Sequence, residues 1–435
     1  MNLIRIDKRD SVAVALTDLP AGALCDVDGQ TLALTEAIPF GHKVALRPIE
    51  VGEDVLKYGC PIGHATRAIH AGEHVHTHNV RTNLSGIVEY AYGGRPESTQ
   101  RAPASAFEGY ARADGRVGTR NELWIVPTVG CVNAAANAVA REIKARFGEE
   151  IDDAVALTHN MGCSQLGEDQ ARTMRILSGL VHNPNAGGVL ILSLGCENNN
   201  LEAFAPYLGD YDARRVRFLV CQDAEDEIAA ALALAAELIE TMRDDRRQSV
   251  PASKLAIGFK CGGSDAFSGI TANALCGRIA DICAGCGGSV ILTEVPEMFG
   301  AEDQLMARAK DPETFERIVR MINGFKAYYA GYRQPIYENP SPGNKKGGIS
   351  TMEEKSLGCV QKGGNAVVTD VLSYGEAVKS AGLSLLTGPG NDQVSCTNLA
   401  ASGANLIVFT TGRGTPFGAP VPTVKLASNT AIAQR

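Results

Sequence analysis

The sequence predicts a multidomain α/β protein, with a small N-terminal all-β domain followed by two α/β units whose sheets are mainly parallel. Three observations predict it. Short β-type runs broken by turn residues fill residues 1–92, an aperiodic Pro/Gly/Ser-rich stretch follows at 93–107, and beyond it apolar runs of strand length alternate with segments of helical period.

In the first region the runs SVAVAL, QTLALTEAI and KVALRPI are separated by turn residues such as Asp28-Gly29 and Phe40-Gly41, the pattern of a small β domain. The opening MNLIRIDKRDSVAVALTDLP alternates apolar and charged positions, so it reads as a strand and not as a secretory leader. The stretch GGRPESTQRAPASAF, 93–107, reads as a linker.

Residues 108–250 form the first α/β unit. Its runs LWIVPTVG, AVALTHNMG and VLILSLG each end in a Gly-Cys step, and LAIGFK, which opens the second unit at 251–435, ends in Lys260-Cys261. Ligands of open parallel sheets bind at the carboxyl ends of the strands. Cys131, Cys163, Cys196 and Cys261 are therefore expected along one crevice. A helix is predicted over Asp226 to Arg243, acidic in its first turn and basic in its last. DDRRQSVPASK marks the boundary, and SVILTEV, NAVVTDV, LSLLTGP and NLIVFTT supply the strands of the second unit. Glu338 to Gly348, ENPSPGNKKGG, is too rich in Pro and Gly for regular structure and reads as a functional loop.

Composition narrows the function. The 435 residues suffice for two to four domains at roughly 150 residues each, and 45% hydrophobic with 21% charged is ordinary for a globular protein. A net charge of −8 without a basic stripe excludes nucleic acid and anionic membranes as partners, leaving a small acidic metabolite in a local basic pocket. No apolar run reaches the roughly 18 residues that span a bilayer, which together with the missing leader predicts a cytoplasmic protein. There the 12 cysteines stay reduced, as free thiols or metal ligands.

Chemistry concentrates in a few segments. His74, His76 and His78 alternate, so on a strand they would share a face and suit a metal, although a polar strand face carries the same pattern. His159 and Cys163 sit four residues apart at a strand end, and Cys196-Glu197 adds a thiol and a carboxylate. Such mixed N, S and O donors suit Fe(II) or Zn(II) better than Mg(II) or Ca(II). Cys276, Cys283 and Cys286 read as packing in a helix that ends at glycine. Lys260-Cys261-Gly-Gly-Ser264-Asp265 offers a glycine-rich turn and a lysine to an acid group, and no nucleotide-binding fingerprint is present. Lys345 and Arg413 are basic residues in glycine-rich segments able to clamp a carboxylate.

The blocks HVHTHN, GYARADGRVGTRN, HNMGCSQ, LGCEN, KCGGSDAFSGITAN, TEVPEMFGAE, NPSPGNKKGG, EEKSLGCVQKGG, GPGND and TTGRGTPFG resemble, in order, those of the altronate and galactarate dehydratase family. The resemblance runs from about residue 10 to the C-terminus. It implies an N-terminal domain of the SAF, or β-clip, type and a requirement for a divalent metal, Fe2+ or else Mn2+ or another such cation. The implied reaction is dehydration of a sugar acid, altronate losing its C2 proton and C3 hydroxyl to give 2-dehydro-3-deoxygluconate. Carried onto this chain, it puts metal ligation on His76, His78, Cys163, Cys196 and Glu197 and proton transfer on Lys260, Glu294 and His159. Substrate recognition falls to Asn160, Ser264, Asp265, Asn273, Lys345 and Arg413. A homo-oligomer is the expected protein partner. Relatives generally continue beyond the Ala-Ile-Ala-Gln-Arg435 at which this chain stops, so a further tail is implied. Galactarate dehydration or a sulfolactate-type lyase is the alternative within the family. An iron–sulfur protein, prompted by the cysteines, and a non-catalytic sugar-acid binder are alternatives outside it.

Overall fold

The computed structural model describes residues 2–94, 96 and 98–435; Met1, and Arg95 and Glu97 in the stretch read as a linker, lie outside the described residues. The N-terminal domain is all antiparallel β. One four-stranded sheet joins Leu3–Ile4, Val12–Ala15, Lys43–Ala45 and His74–Val75, and a three-stranded sheet joins Asp54–Lys57, Cys60–Ala65 and Val80–Arg81. The hairpin Leu24–Val27/Gln30–Ala33 turns through Asp28 and Gly29, both left-handed at φ 54° and 80°, which is the two-residue turn that matches strand twist. The histidine block departs from the expected strand. The strand ends at Val75, because Asn79 accepts from His76 N and donates to His74 O, turning the chain.

The middle unit is a four-stranded parallel sheet in the order Ala154–Ala156, Glu122–Pro127, Ala186–Ser193, Val216–Val220. Its central strands are apolar on both faces because both are covered. Leu123, Ile125, Leu190 and Leu192 pack with Val139 and Leu238 of flanking helices. Trp124, Val126, Val189 and Ile191 pack with Met174, Leu177 and Phe204, and with Leu399 and Ile407 of the C-terminal unit, so two units share one core. The expected helix is Glu227–Met242, capped by the Asp226 side chain.

The C-terminal unit is a six-stranded parallel sheet, ordered Val368–Leu372, Gly382–Leu386, Ser289–Leu292, Ala256–Cys261, Leu406–Thr411, Thr423–Ala427. Two differences from expectation have local causes. The strand Ala106–Ala111 starts inside the stretch read as a linker, because it pairs antiparallel with Gln248–Pro251 at the other end of the middle unit. The segment Glu338–Gly348 holds a one-turn helix, Pro342–Lys346, because Ser341 and Asn344 form a reciprocal capping box in front of it. No helix of the described residues is long and apolar enough to cross a membrane.

Candidate active site

Lys260 and Cys261 close the strand Ala256–Cys261, central in its sheet, and Glu294 lies just past the neighbouring strand Ser289–Leu292. Glu294 has φ 70° and ψ 54°, a left-handed backbone that costs roughly 1–2 kcal/mol in a residue bearing a Cβ. That conformation aims its carboxylate between two lysines. Lys260 Nζ is 2.5 Å from Oε1 and Lys362 Nζ is 2.7 Å from Oε2, while Cys261 N donates to Oε2 at 3.2 Å. Lys260 also reaches Asp392 Oδ1 at 2.8 Å and Gly390 O at 3.2 Å. Gly262 leaves room for this approach, since a Cβ there would lie 2.7 Å from the Asp392 carboxylate and from the Phe409 ring and would displace those side chains.

A second layer comes from the helix Met352–Cys359 and the tight turn after it. Lys355, Cys359 and Lys362 are spaced four and three apart and so share one face. Lys355 Nζ donates to Glu297 Oε1 at 2.8 Å, Cys359 Sγ to Glu297 Oε2 at 2.9 Å, and Lys362 Nζ to Cys261 Sγ at 2.9 Å. The two sulfurs stand 3.4 Å apart, and both are free thiols. Lys260, Glu294, Glu297, Lys355, Cys359 and Lys362 are all buried.

Burial alone would lower the lysines and raise the carboxylate. Here opposite charges prevail. Burial depresses Lys260, yet Glu294 foremost, with Cys261, Glu297 and Asp392, holds it well above the ordinary lysine range. The same balance keeps Lys355 and Lys362 charged. Glu297, raised by burial, is brought far below the carboxylate range by Lys355, Lys260 and Lys362. Burial and its neighbours Cys261 and Glu297 push the Cys359 thiol well up, the hydrogen-bonded contact with Cys261 being the largest cause.

Cys261, Glu297 and Cys359 place donor atoms within 4.8 Å of one another, the set of three among the described residues that is able to hold a metal ion. Two sulfurs and a carboxylate fit Fe(II) or Zn(II). The fit requires both thiols to lose their protons, which would balance the two charges of the ion beside lysines already matched by carboxylates.

The N-terminal domain docks against this unit through buried charges. Lys43 and Lys57 approach Glu354 at 2.9 and 2.7 Å, and Lys43 donates to Ser350 Oγ and Gly348 O. Glu354, raised by burial, is pulled down to about 2 by the two lysines. Lys43 is lowered to about 8, by burial first and then by the Lys57 charge, against the pull of Glu354. His76 Nδ1 meets Ser350 Oγ at 3.0 Å, and His42 Nδ1 meets His74 Nε2 at 2.9 Å. The ring of His78 is 5.3 Å from that of His74. His76 therefore sits at a domain junction, His78 is exposed beside His74, and neither belongs to the converging donor set.

The remaining expected site residues fall in two places. Arg413 and Lys345 are exposed near the carboxyl edge of the six-stranded sheet, with Arg413 reaching toward Gly343 O at 3.5 Å. Beside them, Ser264 O accepts from Asn344 and Asn273 is spent between Gly358 O and Thr410 Oγ1. The Asp265 carboxylate is taken up by Ser268, Ser428 and Asn429. These groups shape the loops.

His159, Asn160, Cys163, Cys196 and Glu197 lie instead on the four-stranded sheet, so the expected single row of strand-end cysteines is divided between two sheets. Both His159 ring nitrogens are engaged by backbone, Nε2 with Pro127 O and Nδ1 with Met161 N. Glu197 accepts from Thr128 Oγ1, Ser193 Oγ, Leu194 N and Gly195 N, which pins the turn carrying Cys196. Asn160, Cys163 and Cys196 are exposed.

Sequence reasoning singles out Lys260 and Glu294, counts Lys355 and Lys362 only among basic residues that are mostly solvated, whereas both are buried, and gives Glu297 and Cys359 no role. A signal existed: Lys355, Cys359 and Lys362 fall four and three apart across the helix Met352–Cys359 and the turn after it, which puts two lysines and a thiol on one face. Cys276 and Cys283 do lie in a helix core, where burial pushes their thiols up to about 12.

Comparison with known proteins agrees with this architecture domain by domain. Residues 1–83 match the altronate/galactarate dehydratase SAF domain, 109–243 the D-galactarate dehydratase/altronate hydrolase second domain, and 252–435 the D-galactarate/altronate dehydratase C-terminal domain. An altronate dehydratase of Escherichia coli (strain K12) is 51% identical, the match covering 100% of this chain and 88% of the relative. One of Bacillus subtilis (strain 168) is 50% identical over 99% of this chain and 87% of its own. A galactarate dehydratase (L-threo-forming) of Escherichia coli (strain K12) is 34% identical over 99% of this chain and 86% of its own. With all three domains matched in order and identity at this level along the whole chain, the protein belongs to the altronate/galactarate dehydratase family.

Proposed function

We propose that this chain is a hydro-lyase that converts D-altronate to 2-dehydro-3-deoxy-D-gluconate and water, in the cytoplasm and with Fe2+ as its divalent cation. The observation that carries the reading is the contrast in identity, 51% and 50% with two altronate dehydratases against 34% with a galactarate dehydratase, each over nearly the whole chain.

The difficult step is removal of the C2 proton, because a carbon acid beside a carboxylate ionises only with strong stabilisation of the developing charge. A cation held by Cys261, Glu297 and Cys359 would supply Lewis-acid polarisation there. Lys260, kept charged by its carboxylate neighbours, stands at the Gly390–Asp392 turn, where the Asp392 side chain is 37% exposed. That is the approach from solvent. The adjacent cavity, lined by Lys57, Ser264, Asp265, Lys355 and Cys359, has a volume of only about 10 Å³, so admitting a sugar acid requires the surrounding chain to move. Arg413 and Lys345 supply exposed positive charge for the substrate carboxylate.

In this assignment Glu294 takes the C2 proton and Lys260 gives one to the C3 hydroxyl, which leaves as water. The proton on Glu294 then returns to the neutral lysine across their 2.5 Å contact, restoring both groups. The test is keto-acid formation by anaerobically purified, Fe(II)-loaded protein with altronate and galactarate side by side. Turnover of altronate, abolished by a chelator, is expected. Turnover of galactarate in preference, or of neither acid, overturns the assignment.

A further inference from the structure

The carboxyl edge of the four-stranded sheet carries three thiols that the proposed reaction does not use. Cys131 follows Glu122–Pro127, Cys163 follows Ala154–Ala156 and Cys196 follows Ala186–Ser193, three strands adjacent in the sheet, and all three thiols are free and exposed. Exposed thiols are open to oxidation, and three on neighbouring strand ends form a pattern that packing does not account for.

Their loops are fastened into one unit. Gly130 N donates to Met161 O at 3.0 Å, and Asn199 N to Gly162 O at 3.1 Å. Ser164 N donates to Asn198 Oδ1 and Asn199 Nδ2 to Thr128 O, both at 2.8 Å, while Thr128 Oγ1 reaches Glu197 at 2.6 Å. A Cβ on Gly162, which has φ 102°, would lie 2.1 Å from Thr128 O, so glycine is required for this close approach. Each pair of cysteine-bearing loops is therefore bonded within three residues of its thiols. His159 and Glu197, saturated by backbone and hydroxyl donors, hold this edge in shape.

We propose that Cys131, Cys163 and Cys196 bind an iron–sulfur cluster of the four-iron type through three thiolates, leaving one iron open toward solvent. Each thiol loses its proton as its sulfur bonds to iron. Thiolates are the usual protein ligands of such clusters. These three sulfurs do not all come within 4.8 Å of one another, as the donors of Cys261, Glu297 and Cys359 do, so they do not converge on a single ion; the cross-loop hydrogen bonds are what hold them to one edge. A cluster spreads its ligands around a larger body. Cys221, after the next strand, is only partly exposed, and it is left out of the set.

The test is anaerobic reconstitution of the full chain with ferrous iron and sulfide, read by visible absorption, acid-labile sulfide and electron spin resonance after reduction. These readouts do not depend on turnover, so they stand whether or not altronate is the substrate. Expected are broad visible absorption, about four sulfides per chain, and about four irons beyond the one that the Cys261, Glu297 and Cys359 site takes. C131S, C163S and C196S should each reduce labile sulfide to background while unfolding at the wild-type temperature, because the side chains are exposed. C221S and C261S should retain the cluster. Absence of acid-labile sulfide from the reconstituted wild type, sulfide that survives the triple serine variant, or loss of sulfide in C221S overturns the assignment.

Discussion

At the carboxyl edge of the four-stranded sheet, Cys163 and Cys196 stand exposed, with Gln222 Nε2 3.5 Å from the Cys196 sulfur. At the same edge of the six-stranded sheet, Cys261 is buried with an ammonium 2.9 Å from its sulfur and a carboxylate oxygen at 3.2 Å. Both sites begin from a parallel strand that ends at a cysteine and turns through glycine. What separates them is supplied from elsewhere in the chain. Glu197 spends its charge on neutral donors, three from its own turn and Thr128 Oγ1 from the neighbouring strand end, while Glu294 and Glu297 face lysines, Lys260 and Lys362 for the first and Lys355 for the second. Strand topology sets the place of a site, and the long-range charges decide its chemistry.

The largest effects are expected where that difference is removed. Lys362→Met strips Glu294 of one of its two lysines and should destabilise the chain by about 3–5 kcal/mol, the usual result of breaking a buried pair. Chemical denaturation measures it, and a loss within a few tenths of a kcal/mol would mean that the network is not electrostatically tied.

The next effect is on pH dependence at the domain junction. Glu354 has its pKa lowered from 4.5 to about 2 by Lys43 and Lys57, overcoming burial. A depressed carboxylate contributes stability that is complete above its unfolded value and is lost as pH falls from 4.5 toward about 2. At most about 3 kcal/mol is involved. Unfolding followed over that range should steepen toward acid in the wild type, and E354Q should flatten the slope.

The buried network shows where sequence reading reaches its limit. The SAF-type domain, the parallel sheets and the strand ends at Cys131, Cys196 and Cys261 are legible because turns and apolar runs are local signals. Lys260 and Glu294 are legible because each adjoins a strand end. Lys355, Cys359 and Lys362 are not, because a lysine on a helix is ordinarily solvated and only the fold reveals that this helix is buried along its length. The two edge strands Val216–Val220 and Thr423–Ala427 are missed for a related reason: their mixed sequences, VRFLV and TVKLA, lack a continuous apolar run.

Smaller effects sharpen the comparison from the exposed side. Glu197→Gln removes a charged acceptor from four donors and should cost about 1–3 kcal/mol, while Cys196 reacts faster with a thiol reagent as its turn loosens. The buried network should be untouched, so Cys261 labelling stays at the wild-type rate. Smallest is Arg413→Ala. An exposed cation contributes up to about 1 kcal/mol, so KM for altronate should rise about fivefold with kcat unchanged.

The most direct measurement of the central claim is single-turnover chemistry with Glu294→Gln, in deuterated water and with bound altronate quantified separately. The account predicts altronate affinity within about threefold of wild type, product formation slower by about 10²–10⁴, and no deuterium entering the C2 position of recovered altronate. Wild-type rates, or C2 exchange that persists in the variant, would contradict the assignment of proton abstraction to Glu294.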